Sequence, residues 1–143
     1  SILIVDEPTT GLDPEERIRI RNLLVDFASN RTVLFSTHIT EDLAATCDKL
    51  CIMHKGKIVY DGGISDLIAS ADNHVFCSAF HNEMDFQKFQ KNYRITSKVY
   101  KSNAIEAKFV SETVPSIECD VCVPTLEDSY IYRLHIQEKE ERV

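Results

Sequence analysis

The first apolar block, Ile2-Leu3-Ile4-Val5, is continuous rather than alternating and rich in β-branched residues. That pattern predicts a short parallel strand covered on both faces. It ends at two acids and a turn of Thr, Gly and Pro: "ILIVDEPTTGLDP". Asp13-Pro14-Glu15-Glu16 then reads as a helix start, with Asp13 as cap, Pro14 at the first helical position and Glu16 placed for a capping box. Ile20, Leu23, Leu24 and Phe27 follow at i, i+3, i+4, i+7 and define one apolar helix face. Asn30-Arg31 breaks the periodicity, and 32–36 (TVLFS) reads as a second buried strand. Strand, helix and strand within about 35 residues form a βαβ unit, so the two strands should be parallel with a right-handed crossover.

Thr40, with Glu41 and Asp42 behind it, opens a helix running to about Cys47. The blocks 50–53 and 57–60 flank "HKG" and predict a hairpin with Gly56 in its turn; Asp61-Gly62-Gly63 should end it, and Ser65 should cap a short helix. After "ASADN" the pattern becomes that of a small α+β unit. Strand 74–80 leads to a helix over 83–93 anchored by Phe86 and Phe89. Strands 96–100, 104–110 and 116–123 follow, and a helix over 125–136 presents Leu126, Tyr130, Ile131 and Leu134. The predicted boundary divides the chain into 1–71 and 72–143.

Composition narrows the classes. At 143 residues the chain suits one domain or two small ones, and its 43% hydrophobic content is adequate for a core. A net charge of −7 argues against a nucleic-acid binder, which presents a basic face. No apolar run approaches the roughly 20 residues needed to span a bilayer. Five cysteines are too few and too odd a set for a disulfide framework and suit a reducing cytosol. Cys119-Asp-Val-Cys122 matches C-x-x-C, but on a strand residues three apart point to opposite faces, which is poor for one metal or a redox turn. His54, His74, His81 and His135 are scattered and read as surface or packing residues. The chain begins at Ser1 directly on a strand, without Met, and reads as a part of something longer.

Candidate chemistry concentrates where the first strand ends. In open α/β sheets, ligands bind outside the carboxyl ends of the strands, which is where Asp6 and Glu7 stand. One of these carboxylates can serve Mg²⁺, an ion that favours carboxylate and water oxygens and bridges nucleotide phosphates. The other can face a γ-phosphate and polarise the attacking water as general base. The alternative is a pair of solvated acids entering a turn. His38 follows the second strand as Asp6 follows the first, so a parallel sheet would bring both to one edge. There its ring can donate to a phosphate oxygen or position water; the alternative is an ordinary histidine ahead of a helix.

These segments carry a family resemblance. "ILIVDEPTTGLDP" resembles the Walker B motif and D-loop of ATP-binding cassette (ABC) ATPases, and "STHITEDL" resembles their switch-histidine loop. "CDKLCIMHKGKIVYDG" is similar to the segment that follows in transporter members, and "VPTLEDSYIYRL" to the C-terminal helix of ATPase subunits of ABC-2-type exporters. The resemblance is dense over 1–68, thin over 72–115, and returns at 124–134. It implies an α/β fold: the C-terminal part of a P-loop (RecA-like) ABC core with parallel strands and a hairpin over 1–71, followed by an α+β accessory or regulatory domain over 72–143. It implies ATP and Mg²⁺ as cofactors. Asp6 would be the acid that supports the metal, Glu7 the catalytic glutamate, His38 the switch histidine and Asp13 the D-loop aspartate that communicates across a dimer. The implied partners are a transmembrane permease and a second ATP-binding subunit, head to tail, on the cytoplasmic side of the membrane.

The pattern is incomplete. No G-x-x-x-x-G-K-[ST] phosphate loop occurs, glycine being confined to positions 11, 56, 62 and 63. The glutamine loop and the LSGGQ-type signature are also missing, and the resemblance places all three upstream. This polypeptide alone is therefore expected to lack ATPase activity, to bind nucleotide no better than millimolar, and to self-associate through an uncovered sheet flank. Two other readings stand beside the transporter subunit. One is a regulatory or dimerisation module in which 72–143 matters most. The other is a non-transport ABC ATPase of translation or DNA repair, which tandem cassettes, long coiled-coil insertions or a basic surface would favour.

Overall fold

The computed structural model describes residues 1–142. Their backbone falls into two compact units, Ser1–Leu50 and Cys51 onward.

In the first unit, β1 (Ile2–Asp6) and β2 (Thr32–Ser36) pair in parallel, in the register Ile2↔Thr32 through Asp6↔Ser36. The crossover is α1 (Pro14–Ala28), which Asp13 caps as expected, its Oδ1 accepting the Glu16 N–H at 2.9 Å. The Glu16 side chain does not return a bond to close a capping box. A second helix, α2 (Thr40–Thr46), follows β2. The strands are not covered on both faces. Leu3, Val5, Val33 and Phe35 are half-buried, whereas Ile2, Ile4 and Leu34 on the other face are 70%, 72% and 60% exposed. The expected apolar face of α1 is likewise covered only in part: Leu24 is buried, Ile20 is half-buried, and Leu23 and Phe27 stay exposed. A two-stranded sheet is too narrow to cover a four-turn helix on one side while being covered itself on the other.

β3 (Lys49–His54) and β4 (Lys57–Gly63) form the expected hairpin. Lys55 and Gly56 turn the chain at φ of 49° and 76°, the left-handed pair that suits a two-residue hairpin loop and that glycine adopts without penalty. The next helix, α3 (Ile64–Ser70), is not capped by Ser65. Gly63 occupies the cap position with no side-chain bond, and its carbonyl accepts the Tyr60 hydroxyl at 2.6 Å, so the corner is tied from the strand.

The rest of the second unit is a four-stranded antiparallel sheet in the order β6-β7-β5-β8, formed by β5 (Val75–Phe80), β6 (Arg94–Lys101), β7 (Ala104–Val110) and β8 (Asp120–Val121). Helix α4 (Glu83–Gln90) crosses from β5 to β6, a split βαβ arrangement with β7 between them. The helix predicted over 83–93 stops at Gln90, because the chain turns at Lys91–Asn92 to enter β6. The strand predicted over 116–123 shrinks to two residues, for β8 pairs only with the first half of β5. One sheet face packs Phe76, Phe109, Ile105 and Ala107 against Phe86 and Phe89 of α4. The other packs Val75 and Val110 against Tyr132 of α5 (Leu126–Glu140), the last helix. Cys119 joins the first cluster and Cys122 the second, so the C-x-x-C pair does point to opposite faces. The fold is α/β, a parallel pair and a hairpin followed by an α+β element. Among the described residues no helix is long and apolar enough to cross a membrane.

Candidate functional site

Parallel pairing with Asp6 opposite Ser36 brings the carboxyl ends of β1 and β2 to one edge. The Ser36 hydroxyl donates to Asp6 Oδ1. Immediately beyond, the Glu7 N–H donates to Ser36 O at 2.9 Å, with Ser36 Oγ at 3.3 Å. These bonds hold Glu7 at a φ of 47°, in the left-handed region that disfavours any residue with a Cβ. Such a conformation persists only where the surroundings impose it, and it clusters at functional sites.

The side chain that this turn projects meets His38. Its two carboxylate oxygens each lie 3.0 Å from His38 Nδ1, and Thr10 Oγ1 donates to Oε2 at 3.0 Å. The bond to the His38 ring, more than the one from Thr10, holds the Glu7 carboxyl below its usual range. An ionised carboxylate only accepts, so the Nδ1 position carries the proton and Nε2 is left free to serve another group. The pair is open to solvent, with the His38 side chain 71% exposed and Glu7 34%. An ionised carboxylate and an imidazole thus stand side by side at the strand edge, both open to solvent.

Asp6, Glu7 and His38 therefore lie at one edge, where Glu7 and His38 meet and the Asp6 carboxylate bonds Ser36 instead. Asp13 stands apart: it caps α1 and makes no hydrogen bond to the other three among the described residues. Sequence reasoning missed Ser36 and Thr10; the signal for Ser36 was its register opposite Asp6. No set of three or more His, Cys, Asp or Glu residues forms a metal cage among the described residues. One carboxylate beside a hydroxyl is nevertheless an all-oxygen set of the kind Mg²⁺ takes when water and phosphate supply its other ligands. The Asp6–Ser36 pair fits that ion, while nothing in the chain supplies a glycine-rich cradle for a triphosphate. Two surface depressions lie elsewhere, along α1 around Leu23, Asp26 and Phe27.

Parts of this chain are similar to known proteins. A segment of 80 residues is 40% identical to the Nod factor export ATP-binding protein I of Mesorhizobium japonicum, covering 53% of this chain and 22% of that protein. Over 73 residues it is 44% identical to the protein of the same name in Paraburkholderia xenovorans, covering 48% and 23%. Over 100 residues it is 31% identical to the uncharacterised ABC transporter ATP-binding protein YxlF of Bacillus subtilis, covering 70% and 34%. The matched segments span about a fifth to a third of the length of these relatives. No family model matches the chain. Its homologues are ATP-binding proteins of ABC transporters.

Proposed function

We propose that this chain is the C-terminal portion of the nucleotide-binding subunit of an ABC transporter, of the ABC-2 exporter type. The observation that carries the reading is the Glu7–His38 contact at the shared carboxyl edge of β1 and β2. The relatives support it, two of them named for export. Residues 1–71 would be the end of the ATPase core and 72–143 an accessory domain.

Bound MgATP would supply the phosphoanhydride to be cleaved and the cation that balances its charge. Asp6, oriented by the Ser36 hydroxyl, would hold that cation. Glu7, ionised and oriented by Thr10 and His38, would accept the proton of the attacking water. His38 would present Nε2 to the phosphate side, and Asp13, at the start of α1, would face a second ATP-binding subunit. Without a phosphate cradle the acids repel an anionic ligand, so this polypeptide alone binds ATP at millimolar strength at best and does not turn it over. The partners of the whole protein would be a transmembrane permease and a second ATP-binding subunit, at the cytoplasmic face of the membrane.

The test is steady-state ATPase activity of a polypeptide that carries this segment together with its phosphate loop, against the Glu7→Gln variant. Turnover lost with ATP binding retained supports the assignment, and unchanged turnover overturns it. The second reading, a subunit-contact or dimerisation module, draws on the two separate apolar clusters that pack α4 and α5 onto the four-stranded sheet. A truncation ending at residue 71 that still assembles and turns over would eliminate it.

A further inference from the structure

The Glu7–His38 contact does not explain its own geometry. Both side chains reach solvent, and an exposed ion pair contributes little by itself while costing side-chain freedom. What lies beneath is different in kind. Thr9, two residues beyond Glu7, and Asp42, four residues beyond His38, are each only 1% exposed, and the Thr9 hydroxyl donates to Asp42 Oδ2. This bond joins the turn after β1 directly to the first turn of α2. The nearly buried Arg21 of α1 lies 3.5 Å from Asp42 Oδ1, and the Thr46 hydroxyl donates to the Asp42 carbonyl at 2.6 Å. A buried carboxylate is costly unless it is paired and hydrogen-bonded, and Asp42 has both kinds of partner.

We propose that Thr9 and Asp42 are positioning residues: their buried bond, braced by Arg21, fixes the distance between the loop that carries Glu7 and the loop that carries His38. The parallel register sets where the two strands end, but each loop then has several rotatable bonds before its functional side chain. Thr9–Asp42 is the tie that spans both loops on their inner side. The inference rests on the reading of Glu7 and His38 given above, and it assigns neither Thr9 nor Asp42 any contact with substrate.

The test reads His38 directly, by the chemical shifts of its ring protons in this chain. In Glu7→Gln the His38 signals define the position without the carboxylate. Thr9→Val should move them most of the way to that position, Thr9→Ser should leave them near wild type, and His54, His74, His81 and His135 should not move. A folded Thr9→Val whose His38 signals stay at the wild-type position overturns the proposal. If Thr9→Val unfolds the first unit, Asp42→Asn replaces it: a smaller shift in the same direction supports the tie, and no shift overturns it. In the polypeptide with its phosphate loop, Thr9→Val should lower kcat at least tenfold with KM unchanged, and Thr9→Ser should restore it. Should Glu7→Gln retain full turnover, the catalytic reading fails, while the ring-proton shifts still decide whether the tie positions His38.

Discussion

Lys108 of β7 reaches across the sheet face to the carboxylate of Asp128 on α5, a side chain only 3% exposed. Asp128 also accepts the Thr125 N–H at 2.9 Å, and Thr125 Oγ1 accepts the Asp128 N–H in return, closing a capping box. The same carboxylate thus anchors the helix to the sheet and caps it. Removing Asp128 costs the ion pair and the cap bonds together, while Lys108, 24% exposed, can turn to water. Asp128→Ala should therefore destabilise the second unit in denaturant unfolding by more than the roughly 1 kcal/mol expected of Thr125→Ala, which loses only cap bonds.

Asp128 also predicts a pH dependence. Burial alone would raise its carboxyl, but the hydrogen bonds from Lys108 and Thr125 outweigh burial and hold it below the ordinary aspartate value. A group depressed on folding contributes stability above its unfolded pKa of about 3.9 and loses it as pH falls through the folded value. The wild-type unit should lose stability steeply below about pH 4. Asp128→Asn, less stable at neutral pH, should show a flatter acid limb when thermal midpoints are compared across that range.

The cysteines should differ widely in reactivity. Cys122 is half-buried, and burial with the neighbouring Cys77 thiol pushes it up to about 12. Thiolate is the reactive form, so at pH 8 Cys122 offers only about one part in ten thousand of it. Cys51 is exposed. Timed alkylation followed by peptide mass analysis should label Cys51 first and Cys122 last; Cys122 labelled as fast as Cys51 would contradict its packing against Val75, Val110 and Tyr132.

The uncovered face of β1 and β2 carries a different expectation. Ile2, Ile4 and Leu34 stand side by side on it, an apolar surface of the kind that drives association. The chain should self-associate in light scattering as its concentration rises, and Leu34→Lys should shift the onset to higher concentration. A monomer at high concentration would remove the expectation.

How far the sequence disclosed this molecule depended on the range of the interaction. Asp13-Pro14 announced α1 because a cap is settled within four residues, and the parallel pair followed because a helix between two strands leaves few other connections. Asp6, Glu7 and His38 could be placed on one edge because strand ends in a parallel pair coincide. Ser65 was misread as a cap, since the bond that fixes that corner comes from Tyr60 on the preceding strand. The exposure of Ile4 and Leu34 was invisible because apolarity reports what a residue favours, not what covers it. Thr9 and Asp42, 33 positions apart and both polar, gave no periodic signal at all.

Glu7 offers a last and sharper test, because its backbone and its side chain can be separated. The φ of 47° penalises every residue with a Cβ, whatever its chemistry. Glu7→Ala and Glu7→Gly both remove the bonds to His38 and Thr10, but only alanine keeps the penalty. Glycine pays its own entropy on folding, yet at a positive φ the relief outweighs it. Glu7→Gly should therefore fold with an equilibrium constant about fivefold larger than Glu7→Ala in denaturant unfolding of the first unit. Equal stability of the two variants would mean that the turn relaxes freely, and that the backbone does not aim this carboxylate at His38. A clear difference would show that the chain tolerates a less favoured conformation at the one residue whose direction the proposed chemistry most depends on.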